Sequence, residues 1–230
     1  MTSRSDPTPL HPWLSPLRAA LAHHADARHA PIMAAYMKHV APFRGVKTPL
    51  RRALLKEHVA LHGAPALDEL PAIGRGAFAC PEREMHYTAV DLLVAHARRL
   101  GPEHLPFLEE LITTKSWWDT VDALAVNVVG VVLKGHPREI ARWNKRWIRS
   151  SDKWLVRTAI LFQNRWKDDT DRALLFANIE RHAGHPDFFV RKAIGWALRQ
   201  LAFTDPEAVR TFVRTHTLAA LSVREAMKHL

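Results

Sequence analysis

Two stretches of this chain repeat one another at an offset that leaves few folds open. Trp154-Leu155-Val156-Arg157-Thr158-Ala159-Ile160 superposes on Phe188-Phe189-Val190-Arg191-Lys192-Ala193-Ile194, thirty-four residues later, and an Asp precedes each stretch near its expected helix start. Thirty-five residues before Arg157 stands Asp122, and thirty-five before that stands Tyr87. Apolar residues recur at the helical period along the whole chain, with Pro, Gly, Asp and Ser at the joints and no alternating segment that reads as a strand. Helices are expected at 12–29, 31–40, 49–62, 66–77, 82–99, 102–113, 117–134, 137–149, 152–166, 169–182, 187–202, 205–215 and 222–229. Joints such as Gly63-Ala64-Pro65, Gly101-Pro102 and Gly135-His136-Pro137 are short, so consecutive helices must fold back on one another as antiparallel hairpins. One hairpin per repeat, with apolar positions toward both neighbours, predicts an all-α fold, an α-solenoid of stacked hairpins with a concave basic groove.

Stacking brings equivalent positions into line, so Tyr87, Asp122, Arg157 and Arg191 are expected to form a row. The period is that of tetratricopeptide repeats, but their tryptophan-to-tyrosine signature is missing, and the Val-Arg of the second helix is closer to a short HEAT-like repeat. The two arginines fit either a groove lining or an inter-repeat ladder. At 230 residues with 47% hydrophobic content, the chain suits one such domain over 12–230. Residues 1–11, polar and proline-rich, are expected to be a loose tail rather than a signal peptide. The single Cys80 can form neither an internal disulfide nor a zinc knuckle, and no stretch is apolar enough to span a membrane, which points to the cytoplasm. The net charge of +10 is unevenly placed: 14 Lys/Arg face 13 Asp/Glu up to Leu133, against 19 and 10 beyond it. Within 137–150, Arg138, Arg142, Lys145 and Arg149 share one helical stripe and Ile140, Trp143 and Trp147 another. This helix is expected to dock its Trp side and present its basic side to solvent, nucleic acid or an anionic membrane.

The stretch Ser116-Trp117-Trp118-Asp119-Thr120-Val121-Asp122 carries the chemistry. Four residues apart on a helix, Trp118 and Asp122 share a face, and an aromatic plane beside a carboxylate suits a cationic guest. A groove built only to bind phosphates would gain nothing from Asp122, since a carboxylate repels DNA. The plainer reading is that an Asp this early in a helix serves the helix dipole, a role better suited to Asp119. Trp117, Trp143, Trp147, Trp154 and Trp166 are expected to be core. His58 and His62 are spaced like helical zinc ligands but lack a following glutamate and a third ligand, so no metal site is expected. Gly74-Arg75-Gly76 is not a phosphate loop, and Cys80 reads as an ordinary thiol.

Several motifs together resemble the AlkD family of bacterial DNA alkylation repair glycosylases. They are 116–122, Leu155-Val156-Arg157-Thr158-Ala159-Ile160-Leu161-Phe162-Gln163, Phe188 to Trp196, Leu221-Ser222-Val223-Arg224-Glu225-Ala226, Ala35-Tyr36-Met37-Lys38 and Pro42 to Pro49. The resemblance runs from about Pro31 to the C-terminus. It implies a HEAT-like solenoid that excises N3- or N7-alkylated purines from double-stranded DNA, without base flipping into a pocket and with no metal or organic cofactor. It assigns the catalytic set to Asp122, Trp118, Trp196 and Arg157, and a DNA contact near the lesion to Tyr36. Lys47, Lys134, Phe189, Arg191 and Arg199 complete the expected DNA contacts, and the protein is expected to act as a monomer. Alkylation already makes the base a cationic leaving group, so a carboxylate that stabilises an oxocarbenium-like sugar suffices and no general acid is required. Arg157 is expected to bind a phosphate or to hold Asp122 ionised by pairing with it. The competing expectations are a non-catalytic HEAT-like protein binding branched or distorted DNA, and a protein-binding scaffold.

Overall fold

The computed structural model describes residues 10–230, and these are helical with no strand among them. The expected tail falls almost wholly outside them. Backbone packing divides the chain into two compact units, the first ending at Arg99 and the second running from Leu100 to Leu230.

The first unit comprises α1 (Leu14–His23), α2 (His29–Tyr36), α3 (Thr48–His62), α4 (Leu70–Ala79) and α5 (Arg83–His96); each overlaps an expected segment, but α1 ends six residues before the expected 29, α2 is displaced from 31–40 and α4 begins four residues after the expected 66. α1 packs on α3 and α4, and α5 on the same two helices, through Leu14, Leu17, Leu21, Ile73, Phe78, Met85 and Leu93. The loop before α3 is held from below. Oε1 of the fully buried Glu84 accepts the backbone N–H groups of Arg44, Gly45 and Val46 at 2.9, 2.9 and 3.2 Å. Gly45 adopts a left-handed φ of 87°, and a side chain there would run into the Asp26 carbonyl, so the loop can take only glycine. His58 and His62 lie ring to ring at 4.5 Å, and Trp13 meets His58 edge-on at 4.4 Å while donating its indole N–H to the Gly63 carbonyl. That pair therefore anchors the start of α1. Cys80 is buried, its thiol near the Gly76 carbonyl.

The second unit comprises α6 (Leu105–Thr113), α7 (Trp118–Leu124), α8 (Gly130–Leu133), α9 (Pro137–Trp147), α10 (Lys153–Leu161), α11 (Arg172–Arg181), α12 (Phe188–Ala202), α13 (Pro206–Thr215) and α14 (Ala220–Ala226). Aspartates open four of these helices. Asp152, Asp171, Asp187 and Asp205 each accept a first-turn N–H, satisfying a donor that the helix itself leaves unpaired. The single helix expected over 117–134 is instead α7 and α8 joined by a π-helical turn, Ala125–Val129. The wider turn leaves the bare Cα of Gly130 against the Phe162 carbonyl, while the Gly130 carbonyl accepts the Trp166 indole N–H at 2.9 Å.

Two layers emerge within this unit. α10 packs on α7 and α12, and α12 on α14. The alternating helices are joined by side chains: Arg146 of α9 grips Glu109 of α6, Asn144 and Asn178 exchange amide hydrogen bonds between α9 and α11, and Phe176 stacks on Phe212 between α11 and α13. Many of these links join residues roughly one repeat apart, an arrangement consistent with an α-solenoid. α9 buries Trp143 and Trp147 and leaves Arg138, Arg142 and Lys145 exposed, as is Arg149 in the turn beyond its end. It belongs to the layer that does not carry Asp122.

Candidate functional site

The site begins at a chain reversal. Lys115 takes a left-handed φ of 45°, and Trp117 is extended before α7 starts. Asp119 lies in the first turn and accepts the Thr120 N–H at 2.8 Å, but the N-cap position is held by Trp117 and no side chain caps the helix. Trp118 and Asp122 lie one turn apart along α7, both half-buried.

α10 supplies the partner. Asp152 caps it by accepting the Trp154 N–H at 2.7 Å, and Arg157 projects from its middle with only 6% of its side chain exposed. Arg157 donates from Nε to Asp122 Oδ1 at 2.6 Å and from Nη2 to Oδ2 at 2.7 Å, a two-pronged pairing of planar groups. Its Nη1 donates to the Phe189 carbonyl in the first turn of α12. All three guanidinium nitrogens are thereby engaged, and one side chain ties α7, α10 and α12 together. Burial leaves 16% of the Asp122 side chain exposed. Desolvation pushes its carboxyl above the usual carboxylate range; the Arg157 hydrogen bonds and charge act against that, and the nearby Asp119 charge adds to it.

Phe189 is held by aromatic neighbours. Its ring meets Trp117 at 4.9 Å and Trp154 at 5.0 Å, and Trp117 meets Trp154 edge-on at 5.9 Å. Lys153 Nζ lies 5.3 Å from the Trp154 ring centre and 5.4 Å from that of Phe189, and it pairs with the α12 cap Asp187 at 3.0 Å. Core positions are expected for both Trp117 and Trp154. Trp154 is buried, but Trp117 is half-buried, with its indole N–H enclosed and unpartnered. Trp143, Trp147 and Trp166 are buried as expected.

Trp196 is half-buried on α12. Arg191, also half-buried, has an enclosed and unpartnered Nε, and its backbone carbonyl accepts the Ser222 hydroxyl at 2.9 Å. Arg199 pairs with Glu225 at 2.9 Å, and Lys134 pairs with Asp169 at 2.8 Å. Tyr36 and Lys47 belong to the first unit; Tyr36 ends α2 with 71% of its surface exposed, and Lys47 is exposed just before α3. Tyr87, also in the first unit, has the guanidinium of Arg51 5.3 Å from its ring centre. Of the expected row, Asp122 and Arg157 are joined directly. Three partners are absent from the sequence expectations: the Phe189 carbonyl, Lys153 and Glu225. A backbone acceptor has no signature in a side-chain pattern, whereas the thirty-four-residue offset between Lys153 and Asp187 is a usable signal.

A family model described as DNA alkylation repair enzyme matches residues 17–230. The chain belongs to this family. A solved structure from Enterococcus faecalis, described as a predicted DNA alkylation repair enzyme, is similar to this DNA alkylation repair family member with a TM-score of 0.83 and 30% sequence identity. The likeness covers 90% of this chain and 96% of that one. No curated protein matches the chain in sequence. Membership supports a role in DNA repair, with DNA as the partner. Among the described residues of this family member, no helix is long and apolar enough to cross a membrane, and no group of three or more His, Cys, Asp or Glu side chains is placed to hold a metal ion.

Proposed function

We propose that the protein is a DNA glycosylase that releases cationic N3- or N7-alkylated purines from duplex DNA by hydrolysis of the N-glycosidic bond. The observation that carries this reading is a mostly buried carboxylate, Asp122, one helical turn from Trp118 and gripped at both oxygens by Arg157. The chain as a whole carries a net charge of +10, and a carboxylate near DNA costs affinity and must be offset by something it does. In the proposed reaction the bond from the sugar carbon to the purine nitrogen breaks and its electron pair goes to the base, which leaves neutral. Positive charge develops on the sugar, where Asp122 stabilises it and orients the attacking water; water adds to the sugar carbon and loses a proton, leaving an abasic site. Trp118 and Trp196 prefer a cationic nucleotide to a neutral one through their ring faces. Arg157 opposes the effect of burial on the carboxyl and fixes its direction.

The test is release of free 7-methylguanine and 3-methyladenine from methylated duplex DNA. Asp122→Asn is expected to lower the enzymatic excess rate by about 10²–10³ while DNA affinity is retained, a loss typical of removing one preorganised electrostatic group. No release above the spontaneous rate by folded wild-type protein would sink the proposal.

A second reading has an observation of its own. Because Arg157 already holds both oxygens of Asp122, the pair also suits a structural latch in a non-catalytic protein that binds distorted DNA. On that reading Asp122→Asn changes stability, and neither wild type nor variant releases base.

A further inference from the structure

Three cations converge on one carboxylate at the end of the second unit. Glu225 of α14, with 8% of its side chain exposed, accepts from Lys192 Nζ at 2.8 Å, Arg199 Nη1 at 2.9 Å and Lys228 Nζ at 2.9 Å. Close approach of α14 to α12 makes this possible. Gly195 lacks the Cβ that would otherwise strike the Cβ of Glu225 and approach the Ser222 carbonyl to 2.7 Å.

The charges do not balance. One carboxylate against three cations leaves a local excess of two positive charges within hydrogen-bonding reach of a common point. The side chains of Lys192 and Lys228 keep 35% and 47% of their surface exposed, so their ammonium groups have donors left over for a second anion. Position on α12 says which anion. Lys192, Trp196 and Arg199 are spaced i, i+4, i+7 and share one face, so the excess charge flanks the half-buried Trp196. The exposed ring of Phe188 lies on the same stripe, 6.0 Å from the Lys192 ammonium. Cations interleaved with aromatic rings along one helix face fit a nucleic-acid strand, whose phosphates and planar bases alternate in the same way. Glu225 acts as the organiser: it fixes three flexible side chains before binding, which lowers the ordering cost that binding would otherwise carry.

We propose that Lys192, Arg199 and Lys228, gathered on Glu225, form a site for one backbone phosphate diester of a DNA strand, beside Trp196. This deepens the glycosylase reading and rests on it only for the identity of the strand as DNA.

The experiment measures binding of an undamaged duplex to the full chain across a range of salt concentrations. Comparison of wild type with the double variant Lys192→Gln, Lys228→Gln gives the slope of log affinity against log salt. The variant is expected to bind more weakly at low salt and to have a slope shallower by about 0.9, the value for one DNA phosphate that the protein no longer neutralises. Lys228→Gln alone, at a half-exposed position next to the chain end, is expected to move the slope in the same direction. Lys192→Arg with Lys228→Arg is expected to keep the wild-type slope. A salt-dependent wild type whose slope the double variant reproduces overturns the phosphate site and leaves the glycosylase reading standing. A wild type that does not bind the duplex overturns both.

Discussion

Arg157 is a residue whose chemistry could be anticipated but whose role had to be seen. Its position in the repeat puts it opposite Asp122, and a pairing is one of two expectations for it. The third hydrogen bond, to the Phe189 carbonyl, depends on where α12 begins and has no trace in residue type. Removing one member of such a buried pair leaves the other charge uncompensated, which typically costs about 3–5 kcal/mol. Arg157→Ala is therefore expected to destabilise the fold by about that amount near neutral pH, measured by urea unfolding. Asp122 sets the sign of the pH dependence. Its carboxyl is already raised in the folded state, and loss of Arg157 raises it further, so the unfolded chain releases this proton more readily than the folded one. The stability deficit should shrink as pH falls and the buried carboxyl takes up a proton. A double variant, Arg157→Ala with Asp122→Asn, should be more stable near neutral pH than Arg157→Ala alone; if the two effects simply add, the pair is not coupled as described.

At the scale of elements, the segments between prolines and glycines were legible because the apolar period runs unbroken through them, and the aspartate at each of four helix starts is a local signal with a local cause. The π-helical turn Ala125–Val129 was not legible. Its residues are compatible with an ordinary helix, and only the approach of Phe162 and Trp166 shows what the widened turn accommodates. Glycine tells the same story at α12. Gly195 reads as a weak point in a helix by composition alone, whereas in the fold it is where α14 comes closest. Gly195→Ala is expected to cost about 1–3 kcal/mol through overpacking against Glu225 and Ser222, read as a lowered denaturation midpoint. Gly184→Ala is the control, because a Cβ there meets nothing within 4 Å, and it is expected to leave the midpoint nearly unchanged. Equal effects at the two positions would remove the close approach as the explanation.

Across the whole molecule, the charge excess of the C-terminal part is organised rather than spread. One face of it, on α9, stands in the layer without Asp122; another is condensed around Glu225. That condensation predicts an acid response. The three cations hold the Glu225 carboxyl down to about 2 from an ordinary 4.5, with the Lys192 and Lys228 hydrogen bonds contributing most. A depressed folded value means that the contribution to stability is fully present above 4.5 and is lost as pH falls toward about 2. The stability gap between wild type and Glu225→Gln, measured by chemical unfolding, should accordingly narrow as pH falls from about 4.5 toward about 2; a gap that stays constant through that window would separate Glu225 from the effect.

The amino-acid sequence by itself determined that this chain is helical, where its helices turn, and that Asp122 and Arg157 occupy equivalent places one repeat apart, because these follow from periodicity, turn residues and a fixed offset. Only the tertiary structure decided that those two side chains lock together on a carbonyl of a third helix, and that three cations meet on Glu225. Both depend on the sideways approach of helices distant in the chain, which is governed by packing at bare positions such as Gly130 and Gly195 and by desolvation, neither of which a one-dimensional pattern records.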